Sequence, residues 1–136
     1  MNRAEFLKQL GLASSAIVFL NQIGGCKKTD TTIPVVDFTI DLTDPQYSAL
    51  QNLGGFIYRD NVIVAHTPIN GYVALSQICT HEACTVQFEV AQNDFLCPCH
   101  DSHFDLIGNV TSGPAPLPLF KFNTQLTGTL LRVYSV

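Results

Sequence analysis

Cys79-Thr80-His81-Glu82-Ala83-Cys84 and Cys97-Pro98-Cys99-His100-Asp101-Ser102-His103-Phe104 are the two stretches that decide how this chain is read. The chain has five Cys and four His, and all of them except Cys26 and His66 fall inside these two stretches. Each stretch offers a Cys and a His within one tight loop. Two such loops brought together present two thiolates and two imidazoles to one site. From the spacing, two chemistries compete. A tetrahedral zinc site of mixed Cys and His uses some of these groups and staples a small fold. An iron-sulfur site with two Cys on one iron and two His on the other leaves two Cys over, which could close a disulfide between the loops.

Outward from these boxes the chain alternates as short strands between turn residues, which is the pattern of an all-β domain. On the N-terminal side the alternation predicts strands over Val35 to Asp41, Phe56 to Arg59, Val62 to His66 and Tyr72 to Ser76. Gly54-Gly55 opens the second of these, Asp60-Asn61 is a tight turn, and Asn70-Gly71 is a two-residue hairpin signal. On the C-terminal side Phe120 to Asn123 and Leu130 to Tyr134 are joined around Thr127-Gly128. Helix is confined to a turn or two over Pro45 to Leu53, with Asp44 as N-cap and Pro45 at the first helical position. Between the flanks, from about Ile78 to Pro118, an insertion breaks the alternation and holds both boxes. Gly108-Asn109 in it reads as a hairpin turn. His103 and His66 read as structural or merely exposed.

Length and charge narrow the classes. A chain of 136 residues with 46% hydrophobic and 13% charged residues fits one compact domain. The net charge of −4 argues against a phosphate-binding surface, so nucleic acid is not an expected partner. Nine Phe and four Tyr are enough to bury a core, which excludes intrinsic disorder. No stretch reaches the ~18 to 20 unbroken apolar residues that a membrane-spanning helix needs.

Residues 1–25 have the order of an export signal. Arg3 and Lys8 give a basic start, and Leu10 to Leu20 is an apolar run of h-region length. Ile23-Gly24-Gly25-Cys26 resembles the bacterial lipobox, which implies cleavage before Cys26 and acylation of its sulfur, with 26–34 as a tether. Asn2-Arg3-Ala4-Glu5-Phe6-Leu7-Lys8 resembles the twin-arginine export motif, with Ala4 where the second arginine would stand. The expected location is therefore a bacterial extracytoplasmic compartment, at a membrane reached through a lipid anchor. A disulfide persists in such a compartment.

The two boxes together resemble the Rieske family, whose patterns are C-x-H-x-G-C and C-P-C-H-x-S. Both are present, with Ala83 in place of the usual glycine. The resemblance implies a Rieske-type antiparallel β-sandwich or barrel over 35–136 with an inserted two-loop cluster-binding subdomain. It implies a 2Fe-2S cluster, with Cys79 and Cys97 on one iron and His81 and His100 on the other. Cys84 and Cys99 would form the disulfide that ties the loops, as in the high-potential members. Ser102 matches the family serine that donates to a bridging sulfide. Phe104 stands where high-potential relatives place a tyrosine that donates to a cysteine sulfur. Gly113-Pro114-Ala115-Pro116 resembles the loop that shields the cluster.

Two neutral imidazoles in place of two thiolates leave the oxidised cluster formally about neutral, so an added electron costs less and the potential rises. Outer imidazole nitrogens couple electron uptake to proton uptake and form the shortest exit to a docked partner. Glu82, beside a ligand imidazole, and Asp101 near it disfavour an apolar quinol pocket, because desolvating a carboxylate is costly. The expected function is transfer of single electrons between redox protein partners, a cytochrome or an oxidoreductase subunit. The alternatives are the Rieske subunit of a quinol-oxidising cytochrome bc-type complex, a small subunit of a molybdenum oxidase and, from another class, a zinc-stapled binding module. No Ser/His/Asp arrangement, phosphate loop or mononuclear iron triad is visible, so the chain reads as a carrier or redox subunit and not as an enzyme on its own.

Overall fold

The computed structural model describes residues 34–135. The expected leader over 1–25, Cys26 and nearly all of the tether lie outside the described residues. Among the described residues no helix is long and apolar enough to cross a membrane.

The described chain forms two antiparallel sheets. The larger is a six-stranded half-barrel made of β1 (Asp37–Asp41), β2 (Phe56–Arg59), β3 (Val62–Thr67), β4 (Gly71–Ser76), β9 (Lys121–Thr127) and β10 (Leu130–Tyr134). Their spatial order is β1-β10-β9-β4-β3-β2. The smaller sheet is a meander of β5 (Gln87–Glu89), β6 (Asp94–Cys97), β7 (Ser102–Phe104) and β8 (Val110–Ser112). It lies within the insertion, as the all-β reading with a separate cluster-binding subdomain requires.

The alternation places the core. In β1 Phe38 and Ile40 point inward, opposite Val133 and Leu131 of β10, and all four are buried. Such burial contributes roughly 1.5 to 3 kcal/mol per large apolar side chain. The unbroken run Val62-Ile63-Val64-Ala65 makes β3 a strand buried on both faces. Val62, Val64 and Ala74 face the half-barrel core with Leu50, Phe122 and Leu131. Ile63, Ala65, Val73 and Leu75 face the other way, onto a second core shared with Val86, Phe88, Phe95 and Phe104 of the insertion. β3 and β4 are one wall with a core on each side.

The connections largely follow their residues. Asp60 and Asn61 both adopt left-handed backbone, at φ 52° and 63°, as a tight hairpin needs. Asp44 caps the helical segment by accepting from the Gln46 N–H at 2.9 Å. That segment, Pro45–Gln51, is a 3-10 helix kinked at Tyr47, whose φ of −109° leaves helical geometry. The Asn70-Gly71 signal is corrected: β3 pairs with β4 through Thr67 and Gly71, so the loop is Pro68-Ile69-Asn70. Gly71 alone takes positive φ, at 67°. The Thr67 hydroxyl sets this longer loop, accepting from the Asn70 N–H and donating to the Gly71 carbonyl.

Candidate metal centre

Three loops meet at the site. The first is closed at its neck by the Ile78 and Thr85 bridge. Within it the Cys79 N–H donates to the Cys84 carbonyl at 2.7 Å and the Ala83 N–H donates to the Cys79 carbonyl at 3.0 Å. So tight a turn requires left-handed backbone, and Ala83 sits there at φ 55°. A side chain in that region costs about 1 kcal/mol or somewhat more, which is why glycine suits the position. The second loop joins β6 to β7 between the paired residues Cys97 and Ser102, with Asp101 left-handed at φ 56°.

The third loop, from Gly113 to Pro118, is tied to both others. The Ala115 N–H donates to Ser102 Oγ at 3.1 Å, and Thr80 Oγ1 donates to the Leu117 carbonyl at 2.6 Å. Gly113 is required where the third loop crosses the second. Its φ is 89°, and a Cβ there would lie 2.5 Å from Ser102 Cα and 2.6 Å from the Asp101 carbonyl oxygen.

The sequence-predicted residues converge on this junction. Cys84 and Cys99 form a disulfide that joins the first two loops, with their Cα atoms 6.5 Å apart. Cys79 and Cys97 are free and buried, at 2% and 1% exposure. Burial pushes the Cys97 thiol up from its ordinary pKa, and the hydrogen bond with Cys79 adds to the rise. His81 and His100 meet edge to face with ring centroids 4.8 Å apart. His81 Nδ1 is sealed from solvent and has no hydrogen-bond partner. The His100 side chain is 44% exposed, and Glu82 Oε2 lies 3.5 Å from its Nδ1. Ser102 and Phe104 are fully buried, and Phe104 shares its core with Cys79 and Cys97.

Sequence reasoning missed three features. Glu82 reaches His100 across the loops instead of only flanking His81, Thr80 anchors the third loop, and Gly113 presses on Ser102. The first two are contacts through space that leave no trace in spacing. The third could have been suspected from a Gly-Pro pair facing a tight box.

A Rieske [2Fe-2S] domain signature matches residues 41–123, more than half of the chain. The chain belongs to the Rieske family. A cytochrome b6-f complex iron-sulfur subunit from Chlorobaculum thiosulfatiphilum is 31% identical over 119 residues, covering 78% of this chain and 65% of that protein. A subunit of the same description from Synechococcus elongatus is 51% identical over 53 residues, 39% of this chain and 29% of that one. The chain thus spans less than two thirds of the length of these relatives. Among solved structures, the cyanobacterial plasma membrane Rieske protein PetC3 from Synechocystis PCC 6803 superposes with a TM-score of 0.51 at 32% identity, covering 58% of this chain and 83% of that one.

A Rieske domain calls for a 2Fe-2S cluster, and the residues of this chain fit that group. Two buried thiols in mutual contact can supply sulfur. The solvent-sealed lone pair of His81 Nδ1, which no protein donor meets, suits a metal. The disulfide takes up Cys84 and Cys99 and leaves Cys79 and Cys97 as the free cysteines of the described residues. Family membership sets the zinc alternative aside.

Proposed function

We propose that Cys79 and Cys97 hold one iron and His81 and His100 the other, in a centre of the disulfide-containing, high-potential type. The protein then ferries electrons between redox protein partners at an extracytoplasmic membrane surface. Residues 1–25 are its export signal, acylated Cys26 its anchor, 26–34 its tether and 35–136 its redox domain. The observation that carries the ligand assignment is the pairing of two buried free thiols with two imidazoles, one of them with an orphaned buried nitrogen. The cluster, when bound, accepts and releases one electron at a time.

The chain's own groups set the conditions for that exchange. The Ser102 oxygen is occupied by the Ala115 N–H, which leaves its proton free to donate into the site and favour the electron-rich state. Phe104 offers no such donor. The third loop, held by Thr80 and Ser102, keeps water from the cysteine side, while the more exposed His100 marks the side where a partner docks. Glu82 keeps that tip polar.

Iron and acid-labile sulfide analysis, with EPR spectra after dithionite, tests the centre. Zinc without sulfide would end the reading. Mass analysis of the Cys26 peptide from membranes tests the anchor, with acylation the expected result.

The similarity to cytochrome b6-f iron-sulfur subunits favours a second reading, a bound subunit of a quinol-oxidising cytochrome bc-type complex. The Glu82 carboxylate beside His100 opposes it, since an apolar quinol pocket would have to desolvate that charge. Solubilised membranes decide between the two. Co-purification with a cytochrome b and electron flow blocked by quinol-site inhibitors would replace the carrier role with the subunit role.

A further inference from the structure

Side chains alternate across the four-stranded sheet. Phe88, Phe95, Cys97, Ser102 and Phe104 point into the core, whereas Glu89, Asp94, Leu96 and His103 share the opposite face. On that face Glu89 of β5 is the direct cross-strand partner of Asp94 of β6, and His103 of β7 is paired with Leu96, on the same face as Asp94. His103 Nδ1 lies 2.8 Å from Asp94 Oδ2. One ligand atom from each of Glu89, Asp94 and His103 lies within 4.8 Å of the other two. None of the three is freely exposed, and the Asp94 side chain is only 17% accessible.

Several features leave this group short of positive charge and of donors. Like charges directly opposite on neighbouring strands destabilise a sheet. The His103 imidazole meets only one oxygen of Asp94, and no Lys or Arg occurs anywhere between residues 78 and 118. The second carboxylate oxygen, Asp94 Oδ1, is sealed from solvent and accepts no hydrogen bond, and neither does Oδ1 of the adjacent Asn93. The same combination of burial and missing donor occurs at His81 Nδ1, on the other loop system, where iron is the proposed partner. An orphaned anionic oxygen in so enclosed a place is costly unless a cation meets it.

We propose that Glu89, Asp94 and His103 form a second metal site, for one divalent transition ion of the zinc type. Two carboxylates and one imidazole suit such an ion, with a water in the fourth position. The two negative charges and the dication cancel. On a tetrahedral ion with bonds of about 2 Å the imidazole nitrogen and the Asp94 oxygen stand roughly 3.3 Å apart, so their present contact opens by only about half an ångström. The ion braces three strands on the face away from the redox centre, two of them the strands that carry Cys97 and Ser102. The site stands independently of the electron-transfer reading.

Calorimetric titration of the full, cluster-loaded chain with ZnCl2 tests it, with the cluster's EPR spectrum confirming the fold of each variant. One zinc per chain is expected in the wild type, with a rise in the thermal midpoint. Asp94→Asn and His103→Gln should each weaken binding at least tenfold, and Glu89→Gln, at the sheet edge, gives the same readout if either of them loses the cluster. Glu82→Gln, which removes the carboxylate beside His100, should bind zinc unchanged, and MgCl2 should not compete at equal concentration. The proposal is overturned if the wild type binds no zinc, if Asp94→Asn and His103→Gln bind as tightly as the wild type, or if Glu82→Gln alone abolishes binding.

Discussion

In the half-barrel, strands of four to seven residues close a core of Phe38, Ile40, Val62, Val64, Leu131 and Val133, whereas no strand of the smaller sheet exceeds four residues. Every Lys and Arg among the described residues sits on the half-barrel: Arg59 over the Phe38 ring, Lys121 on β9, and Arg132 over the Tyr134 ring and paired with Asp37. The smaller sheet has neither Lys nor Arg, and beyond its share of the second core it is fastened by one disulfide and three interlocked loops. A scaffold stabilised by apolar burial can therefore carry a site whose own residues are chosen for chemistry and not for cohesion.

Removing a proposed ligand sets that contrast its severest test. Cys97→Ala or His81→Ala should abolish the cluster's visible and EPR signals altogether while hydrogen exchange stays slow on β1 and β10. Lost protection on those strands would show that the half-barrel depends on the cofactor after all. Next comes the disulfide, which links cysteines separated by 15 positions. The double variant Cys84→Ser/Cys99→Ser should lower the stability of the smaller sheet by about 3 kcal/mol. Bleaching at lower guanidinium, with the half-barrel midpoint unmoved, is the expected outcome.

Phe104→Tyr sharpens the comparison from inside the shared core. A new hydroxyl donating to a cysteine sulfur would be a charge-assisted bond of about 1.5 to 3 kcal/mol at most, and ~59 mV corresponds to 1.4 kcal/mol for one electron. Voltammetry should show a rise of tens of millivolts or somewhat more, and an unchanged potential would remove the missing donor as a tuning element. Ala83→Gly should stabilise the first loop by about 1 kcal/mol by relieving left-handed strain, seen as a higher denaturant midpoint for bleaching.

The smallest effect belongs to the half-barrel. The Arg132 guanidinium donates to both Asp37 oxygens, at 3.0 and 2.7 Å, and holds that carboxyl below its ordinary pKa. A lowered folded value means that the stabilisation is fully present above about pH 4 and is lost as pH falls through the folded value. Both groups are on the surface, so the slope is slight. Arg132→Ala should flatten the acid limb of an unfolding curve without altering the cluster spectrum.

The two boxes were legible in the sequence because Cys and His are scarce elsewhere in the chain, and the structure joins them through the Cys84–Cys99 disulfide and the His81–His100 contact. The half-barrel was legible because strands such as β1 and β10 are long enough to show an inward and outward period. The smaller sheet was not, since β5, β7 and β8 have three residues each and three residues carry no period. The Asn70-Gly71 pair misled because the Thr67 hydroxyl, a side chain outside the pair, chose the loop. His103 read as structural or merely exposed, and its partner Asp94 lies on another strand, where spacing gives no hint.

β3 and β4 also make the two sheets depend on each other. Phe88, Phe95 and Phe104 pack on one another and on Ile63, Ala65, Val73 and Leu75 of the scaffold. The dry wall behind the cysteine loops is therefore built jointly by the insertion and the scaffold. A receptacle for iron and sulfide is whole only with the barrel strands standing behind it.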